Sequence, residues 1–530
     1  MSFIPYDRNQ IDLLGYSLDD FIPPDAKCRY VVDLVNRLDL TSLIECYSTQ
    51  GADSFDPAMM LAIWFFSYSE GESRTRQIEE KCHRDTHYMY ISANLRPDHT
   101  SLSRFRKAHL DLMSDYFVQL VQMAQADGLS DFKEISTDGS TFQASCSAKH
   151  NKSSDELQEK IAAIRSDIDA YMARCDMAEI NDMDEDDIDA IREKIKQLEA
   201  KEQLLKGRQE QLEKRKKELK PEERDKHTIN LVEPDAPMMS KVNGKKGRPA
   251  YNSQISVDTS SYLIVANNTV QARNDSNQFT PQFEMVNDNL GYDPRRQYNL
   301  DSGYFALEQL EYVFENNVDA VFNDPAPFLR SSHTDVTSIS ELIEQDRKLT
   351  RGDFRYDEGD NYYECPSGRK LSFVRRKKET KRCYDLYRCD NCQECPLQEK
   401  CLGNRNAAKC RSIRRDIRET YAESMSDKLT SENAKERLKH RAMTVEPVFG
   451  NLKENLGFRR FRLRGLAQVK GEFNMMCIGH NINILFKYTI KMKNQAIEAK
   501  VKVEKQILDV FDLCSSFIFA YFRPKQLVAV

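Results

Sequence analysis

The sequence predicts an α/β protein built on a mixed sheet, and three observations carry that prediction. Two carboxylates, Asp138 and Asp301, each close an apolar, strand-like run and stand beside small residues, in "KEISTDGS" and "NLDSGYF". Residues 250–272, "AYNSQISVDTSSYLIVANNTVQA", give two β-rich runs around the turn "DTSSY", a hairpin. Beyond Asp301 the helical "ALEQLEYVFENN" leads into the strand "VDAVFNDP", a strand–helix–strand unit that lays helices on a sheet.

Ahead of the sheet, residues 1–125 read as helical. Asp56-Pro57 is an N-cap followed by proline at the first helical position, leading into "AMMLAIWFFSYS". Next come "SRTRQIEEKCHRD" and, after the breaker "RPDH", "TSLSRFRKAH", with Thr100 or Ser101 as the expected cap and Arg104 and Arg106 projecting. Short helices ending in a basic one predict a helix-turn-helix-like DNA-binding unit. An ordinary bundle with solvated arginines competes with it.

Residues 126–150 supply the first strand or strands of the core, and residues 151–228 interrupt it. There Leu198, Leu205, Leu212 and Leu219 recur every seven positions after Ile188, Ile191 and Ile195, and an earlier arm carries Leu157, Ile161, Ile164 and Ile168. This pattern predicts a helical hairpin or coiled coil inserted in the sheet domain. The core resumes over 229–345, residues 346–415 are cysteine-rich, 416–490 hold a helix and a basic segment, and 491–530 form a helical tail.

Composition bounds the function weakly. The formal net charge of the 530 residues is −6, but the inserted hairpin concentrates acid, so local patches decide whether nucleic acid is bound. No run approaches the 18 apolar residues of a membrane span, and the first twenty residues lack a basic start followed by an apolar block. The expectation is a soluble, cytoplasmic protein.

Acids at strand ends bring carboxylate oxygens to a sheet's rim, where Mg²⁺ takes hard oxygen ligands and phosphate oxygens. A neighbouring glycine lets a bulky substrate approach the backbone. Asp258, beside the hairpin, and Asp275, in "RNDSNQ", compete with Asp138 and Asp301. A third acid, Glu446, lies in "NAKERLKHRAMTVEPVFGNLKENL". On a regular helix Glu446 and Lys453, seven positions apart, share a face while Arg441 lies further round. Pro447 removes a helical hydrogen bond and is expected to kink the helix.

"STDGS", "NLDSGYF" and "VEPVFGNLKENLGFRRFRLRGLAQVKGEFNMMCIGHNINIL" together resemble transposases of bacterial insertion sequences with an RNase H-like DDE core. The nearest likeness is to the IS-four-like group that carries a Glu-Pro-Val-Phe-Gly catalytic helix. "LRPDHTSLSRFR" and "VEPDAPMM" belong to the same likeness, which covers most of the chain. The resemblance implies that Asp138, Asp301 and Glu446 are the metal-binding triad, holding two Mg²⁺ (or Mn²⁺) ions, and that Lys453 contacts DNA. It implies a homodimer or higher oligomer pairing two element ends on double-stranded DNA. The wider superfamily has tyrosine seven positions before the glutamate and arginine four before it; here Lys439 and Ala442 stand there, and Arg441 is the nearest arginine. The same triad would serve a nuclease without strand transfer, and a domesticated, non-catalytic DNA-binding protein would share the fold.

Seven of the fourteen cysteines crowd into residues 365–410. Cys-x₂-Cys spacing with further cysteines nearby suits tetrahedral Zn²⁺, and Cys365, Cys392, Cys395 and Cys401 are the preferred ligands. Cys389 competes, and a metal-free cluster of reduced thiols fits the same run. Finally "FRRFRLRGLAQVK" interleaves Arg459, Arg460, Arg462, Arg464 and Lys470 with Phe458 and Phe461, a pattern suited to phosphate contacts.

Overall fold

The structure, a computed structural model, describes residues 3–11, 17–47, 53–180, 185–218, 224, 227–242, 245–324, 339–344, 347–379, 382–402 and 410–521. Leu219 and residues 522–530 of the expected tail lie outside these. The chain divides into two compact units: Met1–Asp131 with Met475–Val530, and Phe132–Asn474.

The first unit is helical: α1 (Lys27–Asn36), α2 (Thr41–Glu45), α3 (Pro57–Ser69), α4 (Thr75–Arg84), α5 (Thr86–Ile91), α6 (His99–Ala108) and α7 (Met113–Ala126). Asp56 caps α3 by accepting from the Met59 N–H at 2.9 Å. Nearly every residue of α3 is buried, as expected of a helix apolar on all sides. The cap of α6 differs from the sequence expectation. Asp98, directly after Pro97, accepts from the Ser101 N–H at 2.6 Å, so Thr100 and Ser101 fall inside the helix.

The second unit holds the mixed sheet: β1 (Glu134–Gln143), β2 (Met238–Val242), β3 (Lys245–Asp258), β4 (Ile264–Val270), β5 (Gln297–Leu300) and β6 (Asp319–Phe322). The strand order is β2-β3-β1-β5-β6, with β4 also paired to β3. β1 runs antiparallel to β3 and parallel to β5, and β5 runs parallel to β6. This is the mixed α/β core expected of an RNase H-like enzyme. Between β1 and β2 lie α8 (Ser154–Ile180) and α9 (Glu185–Glu218), packed through Leu157, Ile161, Ile164, Ile168, Leu198, Leu205 and Leu212.

Helices α10 (Phe279–Leu290) and α11 (Leu307–Glu315) precede and follow β5. After β6 comes an antiparallel sheet of β7 (Arg355–Asp357), β8 (Tyr362–Glu364), β9 (Lys370–Lys378), β10 (Cys383–Cys389) and β11 (Ser412–Asp416). Then α12 (Glu419–Leu429) and α13 (Glu432–Gly450) return the chain to the first sheet, and α13 crosses β1, β5 and β6. Pro447 is accommodated within α13, which gives way at once to a π turn over Asn451–Asn455. Helix α14 (Leu466–Tyr521) follows. Among the described residues no helix is long and apolar enough to cross a membrane.

Candidate active site

The register of β1 positions the site. Thr137 pairs with Leu300, the last residue of β5, so Asp138 and Asp301 each take the next step beyond that pair, where the two strands run about 5 Å apart. Contrary to the sequence expectation, β1 does not stop at Asp138-Gly139. It continues to Gln143 because its antiparallel partner β3 carries on alongside, with Gly139 opposite Gln254. Asp138 is thus mid-strand on one side and at the rim on the other.

Its carboxylate is largely buried. The Gly139 N–H donates to Oδ1 at 2.8 Å, and Arg441 of α13 reaches Oδ2 at 2.9 Å. Burial pushes the Asp138 carboxyl up to about 6, against the pull of Arg441 and the Gly139 N–H, with Asp301 and Asp275 adding repulsion. Arg441 is itself buried, 8% exposed, and its Nε has no partner among the described residues.

Asp275 is the acid whose place the sequence left open. It follows β4, which runs antiparallel to β3 and therefore parallel to β1 and β5, so all three aspartates emerge at one edge of the sheet. Its Oδ1 accepts from Asn252 Nδ2 at 2.7 Å and Gln254 Nε2 at 2.6 Å, both side chains of β3. A Cβ on Gly139 would stand 2.5 Å from that Oδ1, and one on Gly303 would stand 3.3 Å from Oδ2. The room beside both glycines is filled by Asp275, not left open for substrate as the sequence reading held. No local sequence signal marks this; only the strand order does. The other competitor, Asp258, is committed to its turn, where Oδ2 accepts from Ser260 Oγ, the Ser261 N–H and Ser261 Oγ.

Cations line up along the rest of β1. Lys453 Nζ donates to Ser140 Oγ at 2.5 Å and to the Thr141 carbonyl at 3.1 Å, over the ring of Phe142. Burial pushes the Lys453 ammonium down to about 8, although the Asp138 charge works in the opposite direction. At the strand's end Gln143 N–H donates to the Arg459 carbonyl and the Phe461 N–H donates to the Gln143 carbonyl. This bridge seats the basic segment: Phe458, Phe461 and Leu463 are buried while Arg459, Arg460, Arg462 and Arg464 are exposed. Buried Glu472 accepts from the Arg462 and Leu463 N–H groups and fixes the segment from behind.

Two side chains lie otherwise than helical spacing predicts. Glu446 is exposed, and the charges acting most strongly on Asp138 are Arg441, Asp301 and Asp275. Arg441 and Lys453 reach β1 instead: Arg441 from the regular part of α13, and Lys453 because a π turn winds fewer degrees per residue and swings it round from the position a regular helix would give it. Arg106 does not project from α6. Its guanidinium lies over the Trp64 ring and donates to the Ser73 carbonyl at 3.0 Å, because the apolar α3 leaves that face covered; Arg104 is exposed.

In the β7–β11 insertion, Cys365, Cys389, Cys392, Cys395 and Cys401 line one small cavity. The Arg369 N–H points to Cys365 Sγ at 3.3 Å and the Arg411 N–H to Cys392 Sγ at 3.4 Å. Cys383 and Cys410 do not line it. Among the described residues no three acidic, imidazole or thiol groups yet meet around one point as a bound metal requires.

Two protein-family models match the chain: a transposase DDE domain over residues 364–486 and a transposase domain over residues 16–108. The first spans the cysteine insertion, α13 and the basic segment; Asp138 and Asp301 lie upstream of it. A search of curated proteins found no match. With a mixed sheet that brings acids to one edge and basic groups to the adjoining strand, the chain is a DDE transposase of the insertion-sequence kind, an enzyme that acts on DNA and depends on divalent metal ions.

Proposed function

We propose that Asp138, Asp301 and Glu446 are the metal-binding carboxylates of this transposase and that the metal is Mg²⁺, as two ions, with Mn²⁺ able to substitute. The observation carrying this reading is the adjacency of Asp138, within β1, and Asp301, just past the end of β5, with the buried Arg441 on Asp138. Hard carboxylate oxygens short of positive charge fit a divalent cation. When bound, such ions activate a water or 3′-hydroxyl for in-line attack and stabilise the leaving 3′-oxygen. Glu446 rides on the helix that bears Arg441 and must turn toward the aspartates to take part.

The remaining residues hold the substrate. Lys453 and Arg441 meet phosphates next to the acids, and Arg459, Arg460, Arg462 and Arg464 extend the contact along the duplex. Residues 1–125, with Arg104, form a second DNA-binding domain. The insertion holds a structural Zn²⁺ on Cys365, Cys392, Cys395 and Cys401, supported by the shared cavity and the N–H groups aimed at two of the sulfurs. The enzyme works as a homodimer or higher oligomer that pairs the two ends of its element.

Oligonucleotides carrying the inverted repeats that flank the gene, incubated with the full chain and Mg²⁺, should be cut and joined to target DNA. Asp138→Asn, Asp301→Asn and Glu446→Gln should each slow cleavage on the order of 10²-fold or more. Wild-type cleavage by Glu446→Gln would remove Glu446 from the set. Cut ends without joined product would make the protein a nuclease.

A further inference from the structure

The triad leaves Asp275 unexplained, although the fold sets it against Gly139 and Gly303, beside both other aspartates. We propose that Asp275 is a metal-binding carboxylate of the active centre, offering Oδ2 to the divalent cation held by Asp138 and Asp301. The inference rests on the reading of Asp138 and Asp301 as metal ligands.

Three independent elements converge on this side chain. β3 supplies the amides of Asn252 and Gln254, which fix Oδ1. β1 supplies Gly139, where any Cβ would collide with that same Oδ1 and with Gln254. The loop after β5 supplies Gly303, where a Cβ would stand 3.3 Å from Oδ2, tighter than ordinary contact. Two amide donors and two missing side chains are a large commitment for a carboxylate with only a turn to hold. Oδ1 is satisfied; Oδ2 is directed to the loop that carries Asp301.

Charge leads to the same conclusion. Asp275 and Asp301 both lie close enough to repel the Asp138 carboxylate, while Arg441 spends its 2.9 Å contact on Asp138 and keeps a buried Nε unpartnered among the described residues. Three carboxylates against Arg441 and the nearby Lys453 still leave a site short of a cation. Glu446 is exposed, so the third acid beside the pair before DNA binds is Asp275.

The test is Mn²⁺ binding to the full-length, DNA-free protein by calorimetry. Asp275→Asn should weaken Mn²⁺ about tenfold or more, as Asp301→Asn should, with the metal-free melting temperature near that of wild type. Wild-type affinity in Asp275→Asn beside a loss in Asp301→Asn would overturn this inference alone. Wild-type affinity in both would overturn the reading of the aspartate site as well. Should Asp275→Asn fail to fold, Fe²⁺ with ascorbate and peroxide decides on the wild-type chain. Backbone cuts beside Asp275 as well as beside Asp138 and Asp301 support the proposal, and cuts beside only the latter two overturn it.

Discussion

Lys453 carries an ammonium into a place where water is scarce, and the cost is visible in its acidity, lowered to about 8. Below that pH the lysine is charged in both folded and unfolded chains, and the folded state bears the whole desolvation penalty. As pH rises from about 8 toward the unfolded value of 10.5, the folded chain sheds its proton first and the penalty disappears. Lys453→Met should therefore raise stability at pH 7 by up to about 3 kcal/mol, less roughly 1 kcal/mol for each hydrogen bond given up. The gain should shrink at pH 10. Melting curves at both pH values check this, and a variant less stable than wild type at pH 7 would refute it. The same variant should bind DNA more weakly, since a phosphate is what such a buried cation lacks. At Gly139, alanine should cost about 1–3 kcal/mol by overpacking and lower Mn²⁺ affinity, because the new methyl displaces Asp275. Calorimetry beside a melting curve separates the two effects. The adjacency of Asp138 and Asp301 was foreshadowed in the sequence, because an acid following an apolar run before small residues is a local pattern. The placement of Asp275 was not, since it is set by a glycine on another strand.

At the scale of elements, α13 is fixed to the sheet by Arg437. This buried side chain donates to Asn299 Oδ1 at 2.9 Å, to Asp319 Oδ1 at 2.9 Å and to the carbonyls of Tyr298 and Asp319. The Asp319 carboxyl, drawn to about 2 against its burial by Lys428 and Arg437, keeps Lys428 if the arginine is lost. Arg437→Ala should consequently cost about 3 kcal/mol, near the lower end for breaking a buried pair. It should also loosen Arg441's hold on Asp138, seen as a lower melting temperature and slower cleavage together. A lower melting temperature with unchanged cleavage would show that α13 is positioned without it. The helix itself was readable from spacing, but its face was not. Regular helical arithmetic put Glu446 with Lys453, whereas the π turn after Gly450 sends Lys453 to β1. Nothing in "GNLKEN" announces that extra residue in the turn.

At the scale of the whole molecule, a small sheet domain is interrupted twice, by the α8–α9 hairpin and by the cysteine insertion. The hairpin was legible because its leucines recur at sevens and fill one seam. The extent of the first unit was not, because the residues from Met475 onward join it only through tertiary packing, as where Gly479 lies against the Tyr68 carbonyl. For the insertion, the purified chain should carry one Zn²⁺ per molecule by elemental analysis. Cys392→Ser with Cys395→Ser should abolish it and lower the melting temperature by several degrees. Full zinc content in that double variant would place the metal elsewhere.

The salt bridge between Arg441 and Asp138 joins residues about 300 positions apart in the chain. A ribosome adding roughly 5–20 residues per second needs about 15–60 s to travel from one to the other. Through that interval Asp138 has left the ribosome, but the helix that neutralises it does not exist. A product released early, by a premature stop codon or a stalled ribosome, would carry the acids at the sheet edge and lack α13 and the basic segment. In such a product the Asp138 carboxylate lacks the Arg441 contact that the full chain gives it.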